Sequence, residues 1–272
     1  MISLCSIWPT DSSGDHVEAT AEVKAFYEET PFPNYEEFDS VSSLIEKARR
    51  GWFAKLLNDQ IPPGAQVLEC GCGTGQLGIF LSIANRTVFG TDMCLNSLRL
   101  GQEFKEGCDL KNIHFLQMNL FEPIVKPESF DLVISNGVLH HTPDPFEAFR
   151  SISRLVKPNG YILIGLYHRY GRPITDFRRQ LFRLSKRLTF LDPNLRTTDS
   201  ESPSWKAWFM DQYNHPLESK HTIGEVLGWL EQTGFHFIKC LPTSKPFQTP
   251  ENPPMLFEPE IPGNAVERLA VE

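Results

Sequence analysis

The 272-residue sequence predicts an α/β fold: a doubly wound, mostly parallel sheet with helices on both faces, an N-terminal helical extension and a helical insertion after the fifth strand. Three observations predict it. Short apolar runs recur between residues 65 and 167, separated by stretches with helical periodicity. The first of these runs ends in a glycine-rich turn, which then opens a helix. After residue 167 the apolar spacing becomes helical and the strand signals stop.

The chain begins with a helical pattern that meets proline punctuation in EATAEVKAFYEETPFPNY, residues 18–35. The prolines at 31 and 33 remove donors and favour extended backbone, so the helix is expected to stop near Thr30. Phe32 and Tyr35 would then lie across a surface. A second helix is expected over 42–57, where Leu44, Ile45, Ala48, Trp52, Leu56 and Leu57 fall at helical intervals and would pack on the sheet. Its Arg49 and Arg50 read best as solvated cations at a helix end.

Residues 67–78 read VLECGCGTGQLG, which predicts a strand, a tight loop and a helix. The glycines let backbone approach a ligand closely, and the helix start presents unpaired N–H groups. Such a loop suits a nucleotide-like molecule, and its spacing fits two patterns. Gly73, Gly75 and Gly78 satisfy the G-x-G-x-x-G dinucleotide fingerprint. Glu69, Gly71, Gly73 and Gly75 satisfy E-x-G-x-G-x-G. In either case Asp92, at the end of a second short apolar run, is placed to accept hydrogen bonds from ribose hydroxyls.

The succession of later segments separates the patterns. IHFLQMNL (113–120), FDLVISNGVLHH (130–141) and LVKPNGYILIGLY (155–167) follow at intervals that, with the E-x-G-x-G-x-G loop, resemble class I S-adenosylmethionine-dependent methyltransferases of the small-molecule type 11/12-like group. The resemblance covers residues 65–167 well and the flanks more loosely. It implies a Rossmann-like fold with S-adenosylmethionine as cofactor. It also implies that backbone at Gly71, Gly73 and Gly75 holds the methionine part, with Glu69 near its ammonium. Asp92 would take the ribose hydroxyls and Met93 would pack on adenine. Asn119 stands where the family often has Asp, and its amide oxygen can accept the same bond from the adenine amino group. Leu120 would offer its backbone N–H to the ring, and Asn136 would lie beside the methionine end. Segments similar to FYEETPFPNY precede some bacterial methyltransferase domains, which implies a cap carrying Tyr27 or Tyr35; aromatics packing an N-terminal arm are the plainer alternative.

From Ile174 onward, Phe177, Leu181, Leu184 and Leu188 define one apolar helix face. Around it Arg169, Arg172, Arg178, Arg179, Arg183, Lys186 and Arg187 face a single acid, Asp176. The basic helix 172–187 can be a lid over an anionic substrate, a docking surface for RNA or anionic lipid, or a solvated face, which is the default for such charge runs. A loose loop is expected over 191–203. In the segment SWKAWFMDQYNHPLESKHT, Trp205, Trp208 and Phe209 can supply apolar wall while Asp211, Tyr213, Asn214 and His215 orient polar groups. Thr222 can cap a helix that Gly234 ends, and residues 235–241 can form a further strand. The family's antiparallel seventh strand has no counterpart in 242–264, which holds seven prolines, so that strand is in doubt; the ending NAVERLAVE looks helical.

The expected organisation is an N-terminal extension with cap helices over 1–60, an S-adenosylmethionine-binding core over 61–168, a helical substrate-lid insertion over 169–220, a last core helix and strand over 221–242, and a proline-rich C-terminal tail over 243–272. A net charge of −8 argues against a surface that is basic everywhere. There is no run of some 18 apolar residues to span a membrane, and the start MISLCSIWPTDSSGD lacks a basic n-region, so a cytoplasmic location is expected. The six cysteines lack paired C-x-x-C spacing; Cys70 and Cys72 read as small packing residues in the glycine loop, and no metal is expected.

Methyl transfer is an in-line displacement in which positioning dominates and a base helps when the nucleophile must lose a proton. His140 and His141 directly follow the fourth strand, and adjacent residues cannot both face the pocket. His141 is the favoured base and His140 a packing residue; Tyr167, His168 and His215 are alternatives. A small-molecule acceptor is favoured. The rival readings are an RNA-base methyltransferase and an NAD(P)-dependent oxidoreductase using the same glycines.

Overall fold

The computed structural model describes residues 13–29, 31–32, 40–184, 190–196, 202–246 and 254–271. In chain order the elements are α1 (Ser13–Glu29), α2 (Val41–Arg50), α3 (Trp52–Gln60), β1 (Gln66–Cys70), α4 (Gln76–Ser82), β2 (Thr87–Asp92), α5 (Leu95–Gly107), β3 (Ile113–Gln117), β4 (Phe130–Asn136), α6 (Pro145–Ser153), β5 (Val156–Gly165), α7 (Pro173–Leu184), α8 (Pro193–Arg196), α9 (Pro203–Tyr213), α10 (Ile223–Thr233) and α11 (Ala265–Val271). A 3₁₀ turn, Leu139–His141, follows β4.

The five strands form one sheet in the order β3-β2-β1-β4-β5, and every pair is parallel. The chain winds outward from β1 through β2 to β3, then returns to lay β4 on the other side of β1. That reversal leaves a crevice beyond the carboxyl ends of β1 and β4, where ligands bind in sheets of this kind. The strands alternate their side chains between two cores. Val67 of β1 and Leu132 and Ile134 of β4 pack with α2, α3 and α4, whereas Leu68, Cys70 and Val133 pack with α6 and α10. Coverage on both faces explains why β1 reads as a continuous apolar run rather than an alternating one. Arg86 is buried at the edge of this layer and ties it together, donating to Asn58, Ile61 and Leu81 carbonyls.

Local chemistry sets the helix ends. Asp144 caps α6 through the Glu147 amide with Pro145 in the first turn, and Thr222 and Glu225 form a capping box on α10. Gly234, at φ 77°, ends α10 in the left-handed conformation. The first helix stops at Glu29, one residue before the expected Thr30, which with Tyr35 lies outside the described residues.

Three expectations need correction. Residues 235–241 form no strand. Their backbone is engaged elsewhere: Ile238 O accepts the Glu260 amide at 2.8 Å and the Cys240 amide donates to Glu260 Oε1 at 3.2 Å. The C-terminal segment therefore takes the partners that a sixth strand would have offered to β5, and no seventh strand occurs among the described residues. That same segment is anchored: Gln60 donates to Pro254 O and accepts from the Leu256 amide, and Phe257 packs edge-on against Tyr161. Second, the expected loop over 191–203 contains the single helical turn α8.

Third, the basic helix sits with its sides exchanged. Ile174, Phe177 and Leu184 are exposed, whereas Arg179 is buried to 17% exposure against Glu218, itself at 5%. Arg179 has an acid to meet on the protein side, and among the described residues of α7 Leu181 and Phe182 pack inward with α8 and α9. Lys186, Arg187 and Leu188 lie outside the described residues, and so does the side chain of Arg183.

Candidate active site

The glycine turn after β1 is held by its neighbours. The amides of Gly71 and Cys72 donate to Thr91 O at 2.7 and 2.9 Å, and the Gly73 amide donates to Asp92 Oδ2 at 2.8 Å. Gly71 (φ 72°) and Gly75 (φ 78°) are both left-handed. A Cβ on Gly71 would lie 2.4 Å from Val138, and one on Gly75 would lie 2.4 Å from the Phe115 ring. The sequence needs glycine at both positions for space as well as for φ.

Two carboxylates flank this turn. Glu69 sits at the end of β1, 8% exposed, and its Oε2 has no hydrogen-bond partner. Burial pushes its pKa up to about 8, an effect that a Gly78 amide opposes and the Asp92 charge adds to. Asp92 ends β2 and accepts from the Gly73 and Cys94 amides, each at 2.8 Å. Burial raises its pKa as well, against the pull of those amides.

A cavity of about 450 Å³ opens beside them, within the about 300–1,000 Å³ of small-molecule sites. Glu69, Gly71, Gly73, Asp92, Met93, Asn119, Leu120 and Asn136 line one side. Asn119 Oδ1 accepts the Phe121 amide at 3.1 Å, which fixes its side chain and leaves the amide group's donors available. Gly75 does not line the cavity; it caps α4 and packs on Phe115.

The opposite side comes from distant segments: Tyr27 and Phe32 from the N-terminal arm, Val138 and His141 after β4, Tyr167 after β5, and Trp208, Asp211 and Gln212 from α9. Tyr27 donates its hydroxyl to Asp211 Oδ1 at 2.9 Å. Gln212 Nε2 donates to Asp211 Oδ2 at 2.8 Å and to the Tyr167 hydroxyl at 3.0 Å. Arg172 lies 3.6 Å over the Tyr167 ring and donates to Gln212 Oε1. Burial raises the phenol pKa of both Tyr27 and Tyr167, and the Asp211 charge adds to it.

The histidines separate. His141 lines the cavity; its Nδ1 lies 2.8 Å from Leu217 O, so Nδ1 carries the proton and Nε2 is the acceptor. His140 is fully buried against the Tyr167 ring at 3.8 Å, with neither ring nitrogen hydrogen-bonded. Burial, with the charges of His141 and Arg172, lowers its pKa to about 2. His215 stacks behind His141 at 3.6 Å and does not reach the cavity; burial lowers it to about 3. Burial lowers His141 too. His168 also lies away from the cavity, bridged to His221. Of the four candidate bases, His141 and Tyr167 are brought to the site by the segments that follow β4 and β5, whereas His168 and His215 are not.

Trp208 and Asp211 line the cavity, while Trp205, Phe209 and Tyr213 form a separate small core with Phe182 and Leu195. Arg49 and Arg50 border a surface depression on α2 instead of the cavity, and Arg50 pairs with Glu46. Val138 and Gln212 are among the lining residues the sequence did not single out. Gln212 had a signal, since it follows an aspartate in an aromatic-rich helix. No group of three or more His, Cys, Asp or Glu is placed to hold a metal among the described residues, and none of their helices is long and apolar enough to cross a membrane.

A family model described as a methyltransferase domain matches residues 61–227. The ubiquinone biosynthesis O-methyltransferase of Paracidovorax citrulli is 32% identical over 130 residues, covering 47% of this chain and 53% of that protein. The demethylmenaquinone methyltransferase of Bacillus mycoides is 27% identical over 133 residues, covering 47% and 56% respectively. The chain thus spans about half the length of these curated relatives. A solved structure, PKMT2 from Rickettsia typhi in complex with AdoHcy, superposes with a TM-score of 0.52 at 14% identity, over 74% of this chain and 44% of that one. At that identity the likeness is one of fold.

Proposed function

This chain belongs to the methyltransferase-domain family, and from that premise we propose that it transfers a methyl group from S-adenosylmethionine to a small-molecule acceptor by in-line displacement. The observation that carries the reading is Glu69: a buried carboxylate with one oxygen unpartnered, beside a glycine turn that a Cβ at position 71 would fill. A cationic ligand in the cavity that Glu69 lines would balance the charge of that carboxylate. A pyrophosphate would bring negative charge toward both Glu69 and Asp92, which disfavours the dinucleotide reading of the same glycines.

When bound, the donor supplies a methyl carbon made electrophilic by its sulfonium. Glu69 would hold its ammonium, with the Gly71 and Gly73 backbone along its methionine end and Asn136 beside it. Asp92 keeps lone pairs beyond the two amides it accepts, enough for ribose hydroxyls. Met93 would cover the adenine, with Asn119 and the Leu120 amide at its edge. His141 Nε2 would accept a proton from the nucleophile, and burial, which lowers its pKa, favours the neutral ring that this needs.

The small-molecule reading is favoured over RNA by the arginines. Arg169 pairs with Glu225 and Arg179 with Glu218, while Arg172 is held by Gln212 and Tyr167. Charges spent internally contribute little to phosphate binding. The test is incubation with a methyl-labelled donor and a native cell extract, followed by mass spectrometry of separate metabolite and RNA fractions. Label in the metabolite fraction is the expected result; label confined to RNA, or no transfer at all, overturns the proposal.

A further inference from the structure

The acceptor side of the cavity has a charge the donor does not need. Asp211 is 6% exposed, and both its oxygens accept from neutral groups, the Tyr27 hydroxyl and the Gln212 amide. No salt bridge reaches it among the described residues; Arg172 joins the network only through Gln212 and the Tyr167 ring. Among the described residues, the carboxylates lining the cavity are Glu69, Asp92 and Asp211, with no lysine or arginine. The Tyr27, Phe32, Tyr167 and Trp208 rings line the same cavity as Asp211, and the Trp208 indole N–H has no partner. Aromatic faces beside a buried carboxylate favour positive charge.

Methyl transfer decides which acceptor this wall suits, because it moves positive charge off sulfur. With an amine acceptor, the nitrogen lone pair forms the N–CH₃ bond as the S–CH₃ bond breaks. Sulfur keeps that electron pair, nitrogen takes the positive charge, and the N–H proton then passes to His141 Nε2 and on to water. A carboxylate and ring faces at the acceptor end stabilise the charge as it arrives. A phenol must attack as a phenolate, which the same carboxylate repels. Accepting the proposed donor reading as its basis, we propose that Asp211 selects an amine acceptor, receiving a hydrogen bond from the nucleophilic nitrogen and stabilising the ammonium that methylation creates.

The test separates this inference from the one beneath it. The protein is first titrated calorimetrically with S-adenosylhomocysteine; failure to bind removes the donor reading itself. The resulting complex is titrated with 4-methylbenzylamine, 4-methylphenol and 4-methylbenzoate, which share a ring and differ in the polar group. The expected result is that the amine binds at least tenfold tighter than the other two, and that Asp211→Asn abolishes the preference while S-adenosylhomocysteine still binds. Tyr27→Phe retains the ring and frees one Asp211 oxygen, so it should hold or strengthen amine binding even if the Asp211 variant does not fold. Equal or tighter binding of the phenol or benzoate, no amine binding, an unchanged preference in Asp211→Asn, or a tenfold loss of amine affinity in Tyr27→Phe overturns the proposal.

Discussion

The Asp92 carboxylate accepts the Gly73 amide at 2.8 Å, so the end of β2 holds the turn that follows β1 in shape. Asp92 therefore has a structural duty independent of any ribose. Asp92→Ala strands the Gly73 and Cys94 amides, and each buried unpaired donor costs about 1–3 kcal/mol. Chemical denaturation should show that loss in the ligand-free protein. Calorimetry should show S-adenosylhomocysteine affinity down at least tenfold, and an unchanged affinity would refute the assignment of Asp92 to the donor.

Gly75→Ala should destabilise the protein by about 1–3 kcal/mol, because a Cβ there meets a ring and the residue keeps a positive φ. The clash is with Phe115, 2.4 Å from the Cβ position. A double-mutant cycle with Phe115→Leu should therefore give a loss smaller than the sum of the two single losses. Strict additivity would place the cost in the backbone alone.

Acid should destabilise the fold through the buried histidines. Unfolded, His140 takes up a proton near its ordinary 6.5; folded, it does so only near 2. The unfolded state thus binds more protons between those values, and stability falls as pH drops through that window, by up to about 1.4 kcal/mol per pH unit for one such group. His215, lowered to about 3, acts in the same direction. Glu69 acts oppositely: its folded pKa is raised to about 8 from 4.5, so its contribution falls as pH rises between these values. Denaturation midpoints across pH should show His140→Phe with a shallower acid limb and Glu69→Gln with a shallower alkaline one.

Glu218→Gln should cost about 3–5 kcal/mol, the range for leaving one member of a buried ion pair without the other. Arg179 and Glu218 meet at 2.6 Å, with little of either side chain exposed. Urea titration reads the loss. A cost within a few tenths of a kcal/mol would mean that α7 is held by its apolar contacts instead.

The side of the cavity proposed for the donor could be assembled from the sequence because it is local. Glu69, the glycines and Asp92 lie within two strands and one turn, and their order alone specifies a strand, a tight bend and an acid at the next strand's end. The acceptor side was only half legible. Tyr27 and Asp211 are 184 positions apart, and His141 is fixed by a carbonyl 76 positions later. Helical spacing showed that α7 has a basic side, but not that Glu218 would come back to meet it, or Glu225 to meet Arg169 just before it. Residues 235–241 have the composition of a strand, and the partner they meet instead, Glu260, lies outside any local window.

The N-terminal helix grips both halves of the molecule. Glu28 accepts the Leu95 and Asn96 amides at the start of α5, and its neighbour Tyr27 reaches Asp211 on α9. A guest in the cavity would lie against Tyr27, so loosening α1 should shorten its stay and steadying α1 should lengthen it. Turnover would then depend on how firmly α1 is held as well as on the groups that react.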